Sequence, residues 1–464
     1  MSRISRSKKQ VDVHLRIRPL VKEELERDDA PLVLRQVVND GLTSLELTTP
    51  KTDADDVEFV EVLGFTVPKS KPNREKSFKR FKSVHQDVSN VDFFAATVAP
   101  LVSDMLAGRT ACCFAYGHTG SGKTHTILGY ESELGMYELA SKRLFDALEV
   151  LHAHHDQPHS GQDRLKLQIR FNEMYNGEVY DLLNDGAQCF VREDAHGKVH
   201  IRGETLVDAE TGLVSTPAST SLVASSHDEL LGIVRRGMAG RATGNSNVHR
   251  ASSRSHAILE LEFVSDRVLA LRETIAGFES AYNRIRHERD TLEMDIFNRQ
   301  HYKVEGKYVM KPNAQGSTDD EREKLLALKN QYKLLDGRKR AAEREAQRAG
   351  LPGLGGTLVF VDLAGSEHAS KVSDGIQKTE EEQQECREIN KSLSALRACF
   401  RAQTQGLKST VSCYRESKLT LLLRDHLRTA EASRTTMIAT ISPSSFHATK
   451  TIHTLQYAQL VAEK

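Results

Sequence analysis

The run Thr110-Ala111-Cys112-Cys113-Phe114-Ala115, continuing into Tyr116-Gly117-His118-Thr119-Gly120-Ser121-Gly122-Lys123-Thr124-His125, constrains this chain more than any other stretch. Its first half is apolar and reads as a buried strand. Its second half contains Gly-x-x-x-x-Gly-Lys-Thr, the spacing of a phosphate-binding loop. Gly117, Gly120 and Gly122 let successive N–H groups of the loop, through His118, Thr119 and Ser121, turn inward around an anion. Lys123 then reaches the β- and γ-phosphates, and the Thr124 hydroxyl is offered to Mg²⁺. The helix that follows points its positive end at the phosphates. A Gly-rich turn with a chance lysine is the alternative, and the coincidence of strand, glycines and Lys-Thr pair argues against it. The expected fold is therefore α/β: a P-loop NTPase three-layer sandwich around a mainly parallel central sheet of about eight strands.

Two further segments suit the same chemistry. The apolar strand Thr357-Leu358-Val359-Phe360-Val361 ends in Asp362-Leu363-Ala364-Gly365-Ser366-Glu367. A carboxylate directly after a buried strand fits the metal side of a phosphate site, and Gly365 brings a backbone N–H within reach of a γ-phosphate. Asp362 read as a plain helix cap is the alternative. The stretch Asn245 to His256 is rich in hydroxyls, Ser252 and Ser253 among them. It reads either as a surface loop or as a nucleotide-sensing loop whose hydroxyls hold Mg²⁺ or a water. Near the start, Val11 to Arg18 alternates as a strand closed by Pro19, and Arg16 and Arg18 taken alone are strand-face charges.

Lys+Arg and Asp+Glu both number 64, so the net charge is zero and no global field attracts an anionic partner such as nucleic acid. Charge is nevertheless uneven. Between Glu385 and Arg428 nine Lys/Arg face four Asp/Glu, which suits a docking patch for an acidic partner. The six cysteines show neither zinc nor disulfide-framework spacing and suit a reducing compartment. The opening residues lack the apolar core of a signal peptide, and no run of about 18 apolar residues predicts a membrane span.

Taken together, these motifs resemble the kinesin motor domain. They are Phe114 to Thr126, Ser252-Ser253-Arg254-Ser255-His256, Asp362 to Glu367, and Ile389-Asn390-Lys391-Ser392-Leu393 followed by Tyr414 to Thr420. Arg16-Ile17-Arg18-Pro19 and Thr454-Leu455-Gln456-Tyr457-Ala458 match its two ends, so residues 1–464 read as one motor domain. The resemblance implies an ATP- and Mg²⁺-dependent ATPase that is stimulated by microtubules. It implies that Arg16, Pro19 and His125 frame the adenine with Arg18 beside them, and that Gly117 to Thr124 hold the phosphates. Ser252 and Ser253 would form the first switch, with Ser253 joining Thr124 and Asp362 around Mg²⁺. Gly365 would sense the γ-phosphate, and Arg254 and Glu367 would form a latch that helps position the attacking water. Lys391 and the segment Arg415 to Thr420, including Lys418, would face the microtubule, and the basic surplus of that region adds Arg397 and Arg424. The implied location is the cytoplasm and its microtubule cytoskeleton, the spindle or a flagellum included.

Gly135-Met136-Tyr137-Glu138-Leu139-Ala140-Ser141, Tyr414 to Ser417 and Ser433 to Pro443 are similar to the microtubule-depolymerising, thirteenth class of kinesins. Lys51-Thr52-Asp53 stands where that class has a Lys-Val-Asp loop tip. His249 takes the place of the family's first-switch Asn, and Arg397-Ala398-Cys399 that of Lys-Glu-Cys. A conventional motile kinesin and a weakly hydrolysing microtubule tether are the other readings.

Residues 265–355 are an insertion relative to that family. Val268, Leu271, Ile275, Phe278, Tyr282, Ile285, Leu292 and Ile296 recur at steps of three and four, and Leu325, Leu328, Tyr332, Leu335, Ala342 and Ala346 continue the rhythm. Two heptad blocks of this kind predict an antiparallel, coiled-coil-like helical hairpin. Thr318-Asp319-Asp320-Glu321 opens the second block as a capping box. The projection would be on the order of 40–50 Å at 1.5 Å per residue, offering a site for a protein partner.

Overall fold

The computed structural model describes residues 11–26, 32–39, 41–48, 58–62, 65–69, 75–130, 133–154, 164–193, 197–207, 214–243, 253–304, 307–312, 314, 316–348, 351, 353–365, 372–373, 376–377, 379–404, 411–427 and 433–462. Eleven strands build the central sheet. In chain order they are β1 (Asp12–Ile17), β2 (Ser83–Gln86), β3 (Thr110–Tyr116), β4 (Leu165–Tyr175), β5 (Glu178–Asp181), β6 (Ala187–Glu193), β7 (Val199–Arg202), β8 (Leu222–Ala224), β9 (His256–Ser265), β10 (Thr357–Asp362) and β11 (Ser433–Ile441). Their spatial order is β7-β6-β5-β4-β9-β10-β3-β11-β1-β2, with β8 paired to the far half of β4.

The half of the sheet around the phosphate loop is parallel: β10 with β3, β3 with β11, β11 with β1, and β1 with β2. From β10 outward through β9, β4, β5, β6 and β7 every pairing is antiparallel. The sheet is wider than the eight strands expected because residues 178–202 extend this flank as a meander of short strands.

Helices cover both faces, which is why β3 is apolar throughout and does not alternate. The longer helices are α1 (Asn90–Thr97), α2 (Ala99–Leu106), α3 (Lys123–Leu128), α4 (Met136–His154), α5 (His227–Thr243), α8 (Glu380–Thr404) and α9 (Ala448–Ala462), while α6 (Asp266–Gln300) and α7 (Asp319–Arg348) project away from the sheet. Cys112, Phe114 and Tyr116 join one core with Leu393, Leu396 and Phe400 of α8 and Leu455 and Ala458 of α9. Ala111, Cys113 and Ala115 point the other way, into a core with Leu101, Met136, Leu144 and Leu230. The rings of Phe114 and Phe400 lie 5.9 Å apart, and those of Tyr116 and Tyr457 4.1 Å apart, clamping β3 to α8 and α9. A three-stranded sheet of Val33–Asn39, Leu42–Thr48 and Glu75–Phe81 adds Leu45, Leu47, Phe78 and Phe81 to the first core. Lys51-Thr52-Asp53 lies outside the described residues.

Between β9 and β10 the chain leaves the sheet as a two-helix arm. Ser265 Oγ caps α6 by accepting from Val268 N at 3.3 Å. The helix runs 35 residues, about 50 Å at 1.5 Å per residue. Two short strands, His301–Val304 and Lys307–Met310, turn the chain, and α7 brings it back. At its start Thr318 N donates to Glu321 Oε2 at 3.0 Å and Glu321 N to Thr318 Oγ1 at 3.2 Å, the reciprocal bonds of a capping box. The helices are antiparallel, since Arg267 pairs with Glu345 at the base and Arg299 with Glu321 near the tip. Val268, Ile285, Leu328 and Ala342 are buried along the arm, and the rings of Tyr282 and Tyr332 lie 4.2 Å apart. No described helix is long and apolar enough to cross a membrane.

Candidate nucleotide-binding site

The phosphate loop bridges the end of β3 and the start of α3 at Lys123. Gly120 and Gly122 have φ of 80° and 98°, left-handed backbone that a side chain would strain. Gly117 answers a different need: a Cβ there would lie 2.4 Å from Ser121 Oγ and 2.5 Å from Thr440 O. Ser121 Oγ bonds Thr440 Oγ1 at 2.7 Å, which pins the loop to β11. Thr126 Oγ1 donates to Gly122 O at 2.8 Å, and Arg18 Nε to Gly120 O at 2.8 Å. Lys123 is buried, and its ammonium donates to the carbonyls of Gly117 at 3.0 Å and His118 at 3.1 Å. Burial pushes the His118 imidazole down to about 3, so it is neutral and donates Nδ1–H to Thr119 O at 2.8 Å.

The carboxylate side comes from β10. Asp362 is 2% exposed, and burial pushes its carboxyl up against the opposing pull of Arg241 and Lys123. Its Oδ2 accepts from Thr124 Oγ1 at 3.3 Å and lies 3.8 Å from the Arg241 guanidinium. Its Oδ1 is buried without a hydrogen-bond partner among the described residues. A buried carboxylate oxygen without a donor is costly unless a cation or ordered water completes it. With Thr124 beside it and the glycine-backed loop above, the residues fit a phosphate-bound Mg²⁺.

The two segments flanking the loop meet each other. Gly365 N donates to Ser253 O at 2.9 Å. A Cβ on Gly365 would lie 2.2 Å from Thr119 Oγ1, so this glycine sits directly against the loop. Behind it His256 Nδ1 accepts from Ala364 N at 2.9 Å, which leaves Nε2–H to donate to Ser392 Oγ of α8 at 2.8 Å. Burial, with the positive charges of Arg241 and Lys123, holds this imidazole down at about 3. Ser252, His249 and Glu367 lie outside the described residues. Arg254 is bonded to Glu385 Oε2 at 2.5 Å and to Glu382 Oε1 at 3.3 Å, both on α8.

At the other end of the loop, Arg16 is buried beneath α1 and α3. It donates to Asn90 Oδ1, to Thr126 Oγ1 at 2.9 Å and to Val88 O at 3.2 Å, and lies over the Phe93 ring. His125, held below its usual pKa by burial, reaches Glu133 Oε2 at 3.0 Å. Arg18 pairs with Glu24 at 2.6 Å, and Pro19 is exposed.

The basic region divides. Lys391 and Arg397 are exposed on α8. Arg415 and Lys418 reach Glu193 and Glu178 at 2.9 and 2.8 Å while remaining partly open. Arg424 corrects the sequence expectation: its side chain is 3% exposed, pairs with Glu193 at 2.8 Å and donates to Gly197 O. It braces β6 and its turn and presents no charge outward.

Spacing alone did not reveal Asn90, which accepts from Arg16 and donates to His125 O and Leu134 O. Nor did it reveal Arg241, which bonds Glu173 at 3.0 Å and Ser255 Oγ at 2.7 Å beside Asp362. Position after the helix cap Ser89 was the only signal at Asn90, and the last turn of α5 the only one at Arg241.

A family model described as the kinesin motor domain matches residues 16–275 and 336–463. The chain is 30% identical over 375 residues to kinesin-like protein KIF24 from Homo sapiens, covering 81% of this chain and 19% of that protein. It is 28% identical over 452 residues to kinesin-like protein KIN-13A from Oryza sativa subsp. japonica, covering 97% of this chain and 41% of that protein. It is 29% identical over 452 residues to KIN-13B from Arabidopsis thaliana, covering 97% and 47%. The chain thus spans less than half the length of each of these relatives. Among solved structures, a fast kinesin aligns with a TM-score of 0.60 at 22% identity, over 98% of this chain and 92% of that one, and shows the same fold.

Proposed function

Because this chain belongs to the kinesin motor domain family, whose motor domains are ATPases, we propose that it is a microtubule-stimulated ATPase of the depolymerising kind, acting in the microtubule cytoskeleton. The observation that carries the reading is the bond from Gly365 N to Ser253 O at 2.9 Å, against the phosphate loop. It joins the segments before and after the arm at the place where a γ-phosphate would lie. The loop N–H groups and Lys123 bind the phosphates, while Thr124, Ser253 and Asp362 hold Mg²⁺. Bound Mg²⁺ supplies charge neutralisation at the phosphate oxygens. Ser252, Arg254 and Glu367 orient the water, and Arg16, Arg18, Pro19 and His125 bound the adenine end. Arg254 also ties the first switch to α8 through Glu385, so nucleotide state and the helix bearing Lys391 and Arg397 are mechanically joined. Lys391, Arg397, Arg415 and Lys418 meet acidic tubulin, and the arm carries a second, protein-partner site.

A weakly hydrolysing tether is favoured by one observation, His249 in the place of the family's first-switch Asn. ATP turnover with and without microtubules, together with microscopy of stabilised microtubules, separates the readings. Stimulated turnover and shrinking ends are expected. Gliding or stepping would replace depolymerisation by conventional motility, and static decoration without stimulation would leave a tether.

A further inference from the structure

The far end of the arm lies away from the nucleotide site and carries two short exposed strands. The strands His301–Val304 and Lys307–Met310 pair with each other and, among the described residues, with nothing else. Tyr302 stands opposite Val309, and Val304 opposite Lys307, so these four share a face. The other face is partly covered, with the Phe297 ring 4.1 Å from His301 and 5.1 Å from Tyr308. Neither face is closed: Tyr302, Val304 and Val309 on the first are 44%, 43% and 41% exposed, and Tyr308 and Met310 on the other are 60% and 62% exposed. An isolated two-stranded hairpin is marginal in water, and each outer edge presents a row of backbone groups able to pair with another strand.

Charge says what would cover it. Between Asn298 and Pro312 stand Arg299, Lys303, Lys307 and Lys311 against Glu305 alone, a local surplus in a chain with no net charge. Arg299 is engaged by Glu321 and Lys311 by the carbonyl of Asn298, while Lys303 and Lys307 are exposed. We propose that the tip hairpin docks an extended acidic segment of a partner protein, which adds to an open edge as a third strand. Its carboxylates reach Lys303 on one face, and on the other its apolar side chains cover Tyr302 and Val309 beside the stem of Lys307. A lipid surface would leave the strand edges unsatisfied, and duplex nucleic acid has no peptide backbone with which to continue the sheet. The base of the arm is clamped to the sheet, Lys166 to Asp266 at 2.7 Å and Arg272 to Glu262 at 2.5 Å, so a partner docked at the tip is carried about 50 Å from a fixed base. The proposal deepens the reading of the arm as a partner site and does not depend on hydrolysis.

The test uses the full chain without nucleotide or microtubules. The probe is a fluorescent peptide of alternating glutamate and valine, followed by anisotropy, with a proline-interrupted version of the same charge and anionic phosphatidylserine vesicles as comparators. Binding of the alternating peptide is expected, with Lys303→Glu/Lys307→Glu and Tyr302→Ser/Val309→Ser each weakening it about tenfold and basal ATP turnover unchanged. The proline-interrupted peptide is expected to bind about tenfold more weakly. Equal binding of the two peptides would overturn strand addition. Loss of binding in Lys391→Glu/Arg397→Glu but not in the tip variants would move the site to α8. Binding to vesicles in place of peptide would make the tip a lipid-binding element, and no peptide binding at all would end the proposal. Failure of microtubule-stimulated hydrolysis would leave each of these outcomes readable.

Discussion

The nucleotide site and the arm use charge in opposite ways. In the site, Lys123, Arg241 and Asp362 are 6%, 5% and 2% exposed; Lys123 meets the Gly117 carbonyl at 3.0 Å, and Arg241 and Asp362 face each other at 3.8 Å. On the arm, Arg267–Glu345 and Lys329–Glu293 are ion pairs whose side chains are about half exposed. Water screens the second set and hardly touches the first. A single change in the site therefore leaves a buried group without its partner, whereas one on the arm removes a contact that solvent replaces. The arm is held by its buried residues Ile285, Leu328 and Ala342 and by the Tyr282–Tyr332 pair, and its charges serve its surface.

That contrast can be broken or sharpened by substitution. Gly365→Ala drives a Cβ to 2.2 Å from Thr119 Oγ1 and separates the segment after β10 from the loop. ATP turnover is expected to fall about a hundredfold with the thermal midpoint little changed, since a small displacement of a reacting geometry carries a penalty of that order. A full rate would show that the two segments need not touch. Arg254→Ala leaves Glu385, 7% exposed, with Tyr175 as its remaining hydrogen-bond donor among the described residues. Microtubule-stimulated turnover is expected to fall about tenfold, and Arg254→Lys to recover only part, because an ammonium lacks the guanidinium fork. Full recovery by lysine would reduce the Arg254–Glu385 contact to simple charge.

Acid probes the buried side of the comparison. His14 and His256 are both held at about 3, chiefly by burial, against 6.5 for a free imidazole. Both are neutral in the fold and take up a proton more readily when unfolded. Their contribution is therefore complete above pH 6.5 and is lost as pH falls toward 3, at about 1.4 kcal/mol per pH unit for each. Thermal unfolding midpoints measured across this window should drop, and His256→Gln should show a shallower slope from a lower starting point. An unchanged slope would mean that His256 does not titrate on unfolding. Smallest of all, Arg267→Ala should change stability by less than about 0.5 kcal/mol and leave ATP turnover alone. A larger loss would show that the arm's surface pairs hold it together after all.

Legibility in the sequence followed range. The phosphate loop, its strand and the capping box at Thr318 are written in contiguous residues, where a few backbone angles and one or two hydrogen bonds decide the outcome. The tip strands are too short to declare themselves: Tyr302 and Val304 alternate with Lys303, but four residues before a glycine carry little periodic signal. Arg424 was read by its charge alone, and charge does not say whether a side chain faces water. Arg254 shows the same limit: its partners Glu382 and Glu385 lie more than a hundred residues away, and only the packing of α8 brings them to it.

The sequence by itself determined the loop that grips an anion, the carboxylate at the end of β10 and the pair of long helices, because each depends on local spacing and local backbone freedom. Only the tertiary structure decided that β10 lies beside β3, bringing Asp362 to Thr124 and Gly365 to Thr119. It also decided that Asn90 locks Arg16 and that the arm ends in an uncovered basic hairpin. The physical reason is the same in each case. A buried polar group takes the partner that the crossing of strands and helices sets within about 3 Å, and no stretch of chain specifies that crossing alone.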